Sequence, residues 1–329
     1  YSGQSIQTRI SFDEVDLQNF YGFNSPSYGR EKDYRLFCAL RFFAVDETRF
    51  FVRLYQNIEF GYLLGCYQRP TGNDFVIALS QSSVSRCVAE VANIINESIA
   101  SMFIRFPTSL DDKNKIKDKF FRKYGIPGII GCIDCTHVVI RKPSRNVEYV
   151  YCAARKSAHT KNVQIVCNAD LVIFNVNPSY GGSTHDSYIF INSQISEALR
   201  ERYFNGERDS WLLGDSGYAQ LPWLMTPIEH PQNFAEERYN VAHKIARATV
   251  KRCIRVLKSR FRCLSRQRIL MYSPLKTSKI INACCTLHKI MIQQGYELPS
   301  EEVILSEQQV ENNEVDIEVN MSSNALLEH

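Results

Sequence analysis

Residues 129–140 read Ile-Ile-Gly-Cys-Ile-Asp-Cys-Thr-His-Val-Val-Ile, an apolar stretch that contains one carboxylate, Asp134. The turn-forming pair Pro127-Gly128 precedes it. A run of mostly β-branched residues bounded by such a pair predicts a buried β-strand. The first six residues therefore predict a strand that ends in an acid, and the apolar run continues to Ile140.

Beyond this strand, the apolar pattern predicts further strands and helices. In chain order we expect strands at 163–167 and 171–176, a helix at 187–203, a strand at 211–215, a helix from 235 or 240 to 264, and a helix at 277–293. Strands and helices in this order are typical of an α/β domain, which we expect to span residues 127–295.

The segment before this domain is expected to be helical over residues 31–126, behind a flexible arm at 1–30. A first helix is expected near Asp46, and the sequence predicts a break at 69–72. A second helix begins after Ser80, a candidate N-cap, and carries an apolar stripe of Val84, Val88, Val91 and Ile95.

Two helices joined by a turn are typical of a helix-turn-helix DNA-binding region. The first residues of the second helix would then enter the major groove, here Ser82, Ser85 and Arg86. A plain helical bundle gives the same pattern, and both interpretations remain open.

Charge is unevenly distributed along the chain. All 39 Lys and Arg residues lie at or before Lys289, whereas nine of the 35 acids follow it, so the body carries +13. Residues 296–329 form an acidic tail that we expect to be disordered. A basic body favours a polyanion partner for which the tail could compete; a solvated tail on a mildly basic globule is the alternative. No apolar run reaches the ~20 residues needed to cross a bilayer, so we expect no membrane contact.

Three aspartates are candidate metal ligands: Asp134, Asp186 and Asp215 follow apolar, strand-like runs or a glycine-rich turn. Carboxylate oxygens at one edge of a sheet can hold Mg²⁺ or Mn²⁺. Two such ions would stabilise the attacking and leaving oxygens of an in-line displacement at phosphorus. Each acid alone is equally typical of a turn or a helix cap.

The helix expected to end at residue 264 has an apolar stripe and a line of cations. The stripe is Val250, Ile254, Leu257, Phe261 and Leu264. The cations are Lys244, Arg247, Lys251, Arg255, Lys258 and Arg262. No Asp or Glu occurs between Arg238 and Gly295, so repulsion along this line favours an anionic partner such as a phosphate backbone. A solvated face with distant acidic partners is the alternative.

Six motifs, in order over about residues 35–295, resemble the Harbinger transposase-derived nucleases of the PIF/Harbinger superfamily. They are LSQSSVSRCV at 79–88, GCIDCTH at 131–137, GSTHDS at 182–187, WLLGDSGY at 211–218, KSRFRCL at 258–264 and ACCTLH at 283–288. The resemblance implies a ribonuclease H-like DDE nuclease core behind a helix-turn-helix region, a divalent metal cofactor (Mg²⁺ or Mn²⁺) and DNA as substrate. It also implies a nuclear location, with the cytoplasm left open, and a Myb/SANT-like partner protein.

By this resemblance, Asp134 matches the family's first catalytic aspartate, Asp215 matches a strand-end aspartate, and Asp186 matches another acid of the metal site. The family's glutamate lies on the following helix in a Val-Glu-Arg-like stretch. This chain has Val250-Lys251-Arg252 there, so Lys251 stands at the position of the missing glutamate.

An ammonium at this position removes a metal ligand and repels the second ion. We expect one ion to bind weakly at Asp134 and Asp215 and cleavage to be strongly reduced or lost. Two functions therefore remain open. One is a metal-dependent DNA nuclease, catalysing phosphodiester hydrolysis or strand transfer, with reduced activity. The other is a catalytically dead DNA-binding or adaptor protein.

Overall fold

The structure, a computed structural model, describes residues 80–153, 158–266 and 268–299. The expected arm at 1–30, the first helix near Asp46 and the tail from 300 onward lie outside the described residues. The described helices are α1 Gln81–Ile94, α2 Ala100–Phe103, α3 Leu110–Tyr124, α4 Glu148–Tyr151, α5 Asp186–Ile191, α6 Gln194–Phe204, α7 Phe234–Arg260 and α8 Pro274–Gln293. The described strands are β1 Ile129–Val139, β2 Cys152–Ala153, β3 Ala158–Cys167, β4 Ile173–Gly181, β5 Trp211–Leu213 and β6 Leu224–Met225.

Within the described ranges the six strands form one mixed sheet. β1 lies in the middle, antiparallel to β3 on one side and parallel to β5 on the other. β4 and the short β2 pair antiparallel with β3, and β6 continues the sheet parallel to β5. Helices α3 and α7 pack against β1, and α8 packs against β4 and α1. The α/β class expected from the strand and helix pattern is confirmed.

The order of the four main strands follows the prediction, but β3 begins earlier and β4 ends later than predicted, and β2 and β6 were not predicted. The turn at Asn168 joins β3 to β4, as expected. β1 does not end at Asp134, because the residues after it keep pairing with β3 as far as Val139 opposite Thr160. Asp134 therefore lies in the middle of a strand, whereas Asp215 follows the end of β5 by two residues.

The single helix expected over 187–203 is wrong. The chain forms α5 and α6 with a break at Asn192 and Ser193. The hydroxyl of Ser193 donates to the Phe190 carbonyl at 2.6 Å and accepts from the Ser196 amide at 3.3 Å. A short polar side chain that bonds the backbone in this way ends one helix and caps the next.

The long helix begins earlier and ends earlier than its pattern predicts. Asn233 caps α7 by accepting from the amide of Glu236 at 3.0 Å, and the helix ends at Arg260 before a 3₁₀ turn, Arg262–Leu264. The expected apolar stripe of this segment is buried throughout: Val250, Ile254, Leu257, Phe261 and Leu264. The last helix starts at Pro274 rather than 277, since proline is suited to the first helical position.

Helices on both sides of Pro127 share one continuous core. Ser80 caps α1 as expected, and the α1 stripe is buried: Val84, Val88, Val91 and Ile95. Phe120 of α3 belongs to the same core as Ile133 of β1 and Val250 of α7. The helices before residue 127 that the structure describes therefore support the sheet directly.

Gly128 lies just before β1 and packs closely against Trp211 at the start of β5, which gives a stability prediction. Its φ is +74°, and an added Cβ would lie 2.2 Å from the ring of Trp211. Gly125 has the same φ, but nothing lies within 4 Å of its Cβ position. Alanine at either site costs about 1 kcal/mol of backbone strain, and we expect Gly128→Ala to cost at least about 2 kcal/mol more because the ring must move.

Urea unfolding of the two variants measures this difference, with Gly125→Ala as the matched control for backbone strain. Equal losses of unfolding free energy in the two variants would show that the Trp211 contact does not restrict this position.

Candidate active site of the DDE type

The parallel pairing of β1 with β5 places the first two candidate acids side by side. Cys132 of β1 is in register with Leu213 of β5. Asp134 lies two residues after Cys132, and Asp215 lies two residues after Leu213. Because the two strands are parallel, both aspartates lie beyond the paired residues in the same direction. Side chains two residues apart on a strand lie on the same face, so Asp134 points to the side where Cys132 donates to the α7 carbonyl of Ala246 at 3.4 Å.

Arg247 of α7 joins the two carboxylates. Its Nη2 lies 3.1 Å from Oδ2 of Asp134 and 2.7 Å from Oδ2 of Asp215. The two carboxylate oxygens are thus at most about 6 Å apart, close enough for ligands of a two-ion site, in which the ions lie about 4 Å apart. In this structure a guanidinium lies between them.

The electrostatics of Asp134 are dominated by burial. Burial raises its pKa from 3.8 to about 6, the charge of Arg247 opposes this, and the neighbouring Asp215 adds to it. The charge of Lys251 also lowers the pKa of Asp134, so this exposed ammonium lies near the aspartate pair, one helical turn beyond Arg247. The residue predicted to stand at the family's glutamate position therefore brings a positive charge near Asp134.

Asp186 lies on the other face of β1. It is the first residue of α5 and accepts a hydrogen bond from Nδ2 of Asn162 at 2.7 Å. Asn162 is in register with His137, an odd-numbered residue of β1 that faces away from Asp134. Cys135 lies on the same side, 3.4 Å from the hydroxyl of Tyr218, and Asp186 helps to raise the pKa of its thiol, after burial.

These residues do not fit a two-ion metal centre. The described residues contain no group of three or more His, Cys, Asp or Glu side chains that could hold a metal ion. The aspartate pair already contacts the guanidinium of Arg247, and Lys251 adds a second cation near Asp134. A charge of this sign repels a metal ion. No reaction step through a bound ion follows from this arrangement.

The line of cations predicted on α7 is only partly exposed. Lys244, Lys251 and Arg262 are exposed, and Arg255 is half-buried. Arg247 is engaged by the aspartates, and Lys258 is only 2% exposed. The reason is that the last turns of α7 are covered on all sides, so residues 256–261 are all buried. The solvated surface is therefore shorter than the sequence spacing predicts.

The start of α1 is partly held by the last helix. Ser82 and Arg86 are exposed, as a groove-reading surface would require. Nζ of Lys276 donates to the carbonyl and the hydroxyl of Ser85 at 3.0 Å and 3.1 Å, so this residue anchors α1 to α8. The helix expected to precede α1 lies outside the described ranges, and the helix-turn-helix stays a prediction.

Comparison with known proteins gives one family match and several curated relatives. Residues 133–289 match the family model described as DDE superfamily endonuclease. The chain is 40% identical over 243 residues to HARBI1 of Bos taurus, a candidate nuclease by name, across 74% of this chain and 67% of that protein. It is 39% identical over 238 residues to HARBI1 of Homo sapiens, across 72% and 66%. The chain thus spans about two thirds of the length of these relatives.

More distant matches lie in plants and among solved structures. Protein ALP1-like of Arabidopsis thaliana is 27% identical over 227 residues, across 65% of this chain and 54% of that protein. A piggyBac transposase from a synaptic complex with hairpin DNA covers 84% of this chain and 70% of its own, at 10% identity. Its TM-score of 0.37 is too low for inference about fold or function.

A central strand with an aspartate, a parallel neighbour followed by a second aspartate, and a long helix across both fit a nuclease core of the ribonuclease H kind. With the matches above, this chain belongs to the DDE superfamily endonucleases, among the Harbinger transposase-derived nucleases. Members of this superfamily generally depend on a divalent metal.

The bridging role of Arg247 was missed by sequence reasoning, which grouped it with the solvent-facing cations. A signal was present, because Arg247 lies four residues before Lys251 and so shares its helix face. Burial of Asp134, which makes a nearby cation favourable, was not visible in the local pattern.

Asp134 yields a pH prediction. A carboxyl whose pKa is raised by folding, here from 3.8 to about 6, contributes stability that is fully present below the unfolded pKa and lost as pH rises through the folded pKa. We expect Asp134→Asn to gain stability relative to the wild type as pH rises from about 4 to about 7, by on the order of 1–3 kcal/mol. Urea unfolding in a chelating buffer measures this difference.

Asp209→Asn is the control, because the pH dependence of its effect on stability should have the opposite sign. Lys117, 2.8 Å away, holds the pKa of this largely exposed carboxyl below its usual value, so the contribution of Asp209 is lost as pH falls. A pH-independent difference between Asp134→Asn and the wild type would contradict the buried ionisation.

Proposed function

We propose that this chain binds duplex DNA on the surface formed by the Asp134–Asp215 pair and the outer side of α7, and that cleavage is strongly reduced or lost. The observation that supports this most directly is the guanidinium of Arg247 between the two aspartates. The family supplies a scaffold for nucleic-acid chemistry, and this chain's own side chains fill the place of the ions.

Charge balance at the site supports binding without cleavage. The carboxylates of Asp134 and Asp215 are offset by the cations of Arg247 and Lys251, so the site as a whole has no excess negative charge. A phosphate backbone would then meet exposed cations directly, since Lys244 and Lys251 are both exposed on α7. Contacts of this kind supply most of the non-specific affinity for DNA.

A weak metal-dependent nuclease is the second candidate. The observation that favours it is the closeness of the Asp134 and Asp215 carboxylates, whose oxygens contact the same nitrogen atom. Mg²⁺ or Mn²⁺ would need to displace Arg247 and would be bound by these two acids, with Asp186 as a further ligand only after rearrangement. The two candidates differ in whether added metal changes the DNA.

Further features belong to the same proposal. A nuclear location and a Myb/SANT-like partner fit a protein of this family, and the exposed Ser82 and Arg86 at the start of α1 would extend the DNA contact. None of the helices that the structure describes has the length and apolarity needed to span a membrane.

DNA binding is tested by the salt dependence of affinity for a short duplex. We expect Lys244→Gln and Lys251→Gln each to weaken binding and to reduce the slope of log K against log salt by about 1, because each cation releases about one counterion. Lys115→Gln is the matched control; this exposed lysine lies on a different helix, α3, and pairs with Asp111 at 3.0 Å. Equal effects of all three changes would locate binding elsewhere.

Cleavage is tested on duplex DNA with Mg²⁺ or Mn²⁺. We expect little or no turnover by the wild type and a gain of at least about tenfold in Lys251→Glu, because the carboxylate restores a metal ligand near Asp134. Lys251→Gln controls for loss of the ammonium alone, and Asp134→Ala in the Lys251→Glu background should abolish the gain. Robust turnover by the wild type that is abolished by Asp134→Ala would establish the nuclease instead.

A further inference from the structure

The outer side of α7 carries exposed apolar side chains among its cations. Phe234, Val241 and Ile245 are 73%, 61% and 55% exposed and, at spacing i, i+7, i+11, lie on one side of the helix. Three exposed cations lie beside or beyond them on the same helix: Arg238, Lys244 and Lys251. An apolar stripe with cations at its edges is suited to a segment that carries both apolar residues and acids.

The chain after α8 leaves the described structure beside the C-terminal end of α7. Nη2 of Arg260, the last residue of α7, donates to the carbonyl oxygens of Tyr296 and Glu297 at 3.4 Å and 2.8 Å. Residues 300–329 follow the last described residue. This length, at about 3.3 Å per extended residue, exceeds the roughly 40 Å length of α7 more than twofold.

The first acid after residue 299, Glu301, and Lys251 of α7 lie at similar distances from the contact between Arg260 and Glu297. Measured from the contact between Arg260 and Glu297, Lys251 lies about 14 Å back along the helix, at about 1.5 Å per residue. Glu301 lies about 13 Å along an extended chain that runs in the same direction, at about 3.3 Å per residue. An extended chain running back along α7 would therefore bring Glu301 level with Lys251 along the helix axis.

The next residues continue this match. Residues 303–305, Val-Ile-Leu, reach about 20–26 Å along the extended chain, where the helix presents Ile245 and Val241 at about 23 and 29 Å. Glu307 and Arg238 both lie at about 33 Å. In such an extended segment, acids would lie level with cations at both ends of the stretch, and apolar residues would lie level with the apolar stripe between them.

We propose that residues 301–307 dock in extended form on the outer side of α7 of the same chain, antiparallel to the helix. The segment covers Ile245 and Val241 and competes with a phosphate backbone for Lys244 and Lys251. The contact is independent of DNA, and its consequence, autoinhibition of DNA binding, rests on the proposed function.

Photo-crosslinking in the full-length chain tests the contact. We expect p-benzoylphenylalanine in place of Ile245 to crosslink to residues 301–307 within one chain, as found by peptide mapping. The same replacement at Phe204 on α6, which is 73% exposed, is the matched control and should not. Glu301→Gln, Glu302→Gln and Glu307→Gln together should lower the yield at position 245 by at least about threefold.

Three outcomes overturn the docking: equal crosslinking from both positions, crosslinking of position 245 to other segments only, and a product of twice the chain mass. The last would mean that a second copy occupies this face.

The competition is tested with the same triple variant in DNA binding. We expect it to bind duplex DNA at least about threefold more tightly, at low salt, than a control that removes three acids outside the docked stretch, Glu314→Gln, Asp316→Asn and Glu318→Gln. Equal affinities of the two variants overturn the competition. Absence of DNA binding in every variant counts against the proposed function, while the crosslinks still decide the docking.

Discussion

The pairing of two carboxylates with one guanidinium is the interaction on which the centre of this molecule depends. Asp134 is 8% exposed, and its burial raises its pKa, so an ionised carboxylate at this position requires a nearby positive charge. Arg247 supplies that charge to Asp134 and Asp215 together. Loss of Arg247 would remove the bridging charge from the buried Asp134, and the central strand, its parallel neighbour and the long helix are therefore electrostatically coupled.

The sheet brings two negative charges together, and these charges require a cation. Parallel register between β1 and β5 brings the two aspartates together, and the packing of α7 against β1 holds Arg247 opposite them. In a metal-dependent member of the superfamily, cations bound by acids would neutralise such a pair. Here the countercharge is covalently part of the chain, and Lys251, one turn along the same helix, adds a second positive charge. This charge balance supports the proposed contact with phosphate.

Much of the fold could be predicted because its signals are local. Strand runs, the turn at Asn168 and the apolar stripe of α7 depend on period and on turn-forming residues within a few positions. The break before α6 could not, since it depends on whether the Ser193 hydroxyl bonds the backbone on both sides. At the site, the family motifs predicted that Lys251 lies near the aspartates. The separation of Asp186 from Asp134 could not be predicted, because it depends on which face of β1 Asp186 contacts.

The sequence by itself determined the α/β class and the family, because these depend on residue identity and spacing along the chain. The assignment of Lys251 to the position of a family glutamate stays a prediction. Only the tertiary structure decided that Arg247 lies between the aspartates, that Lys258 is buried and that Asp186 lies on the opposite face. Each depends on strand register and helix packing between segments tens of residues apart. Such contacts are set by the total packing of the core, which no local pattern contains.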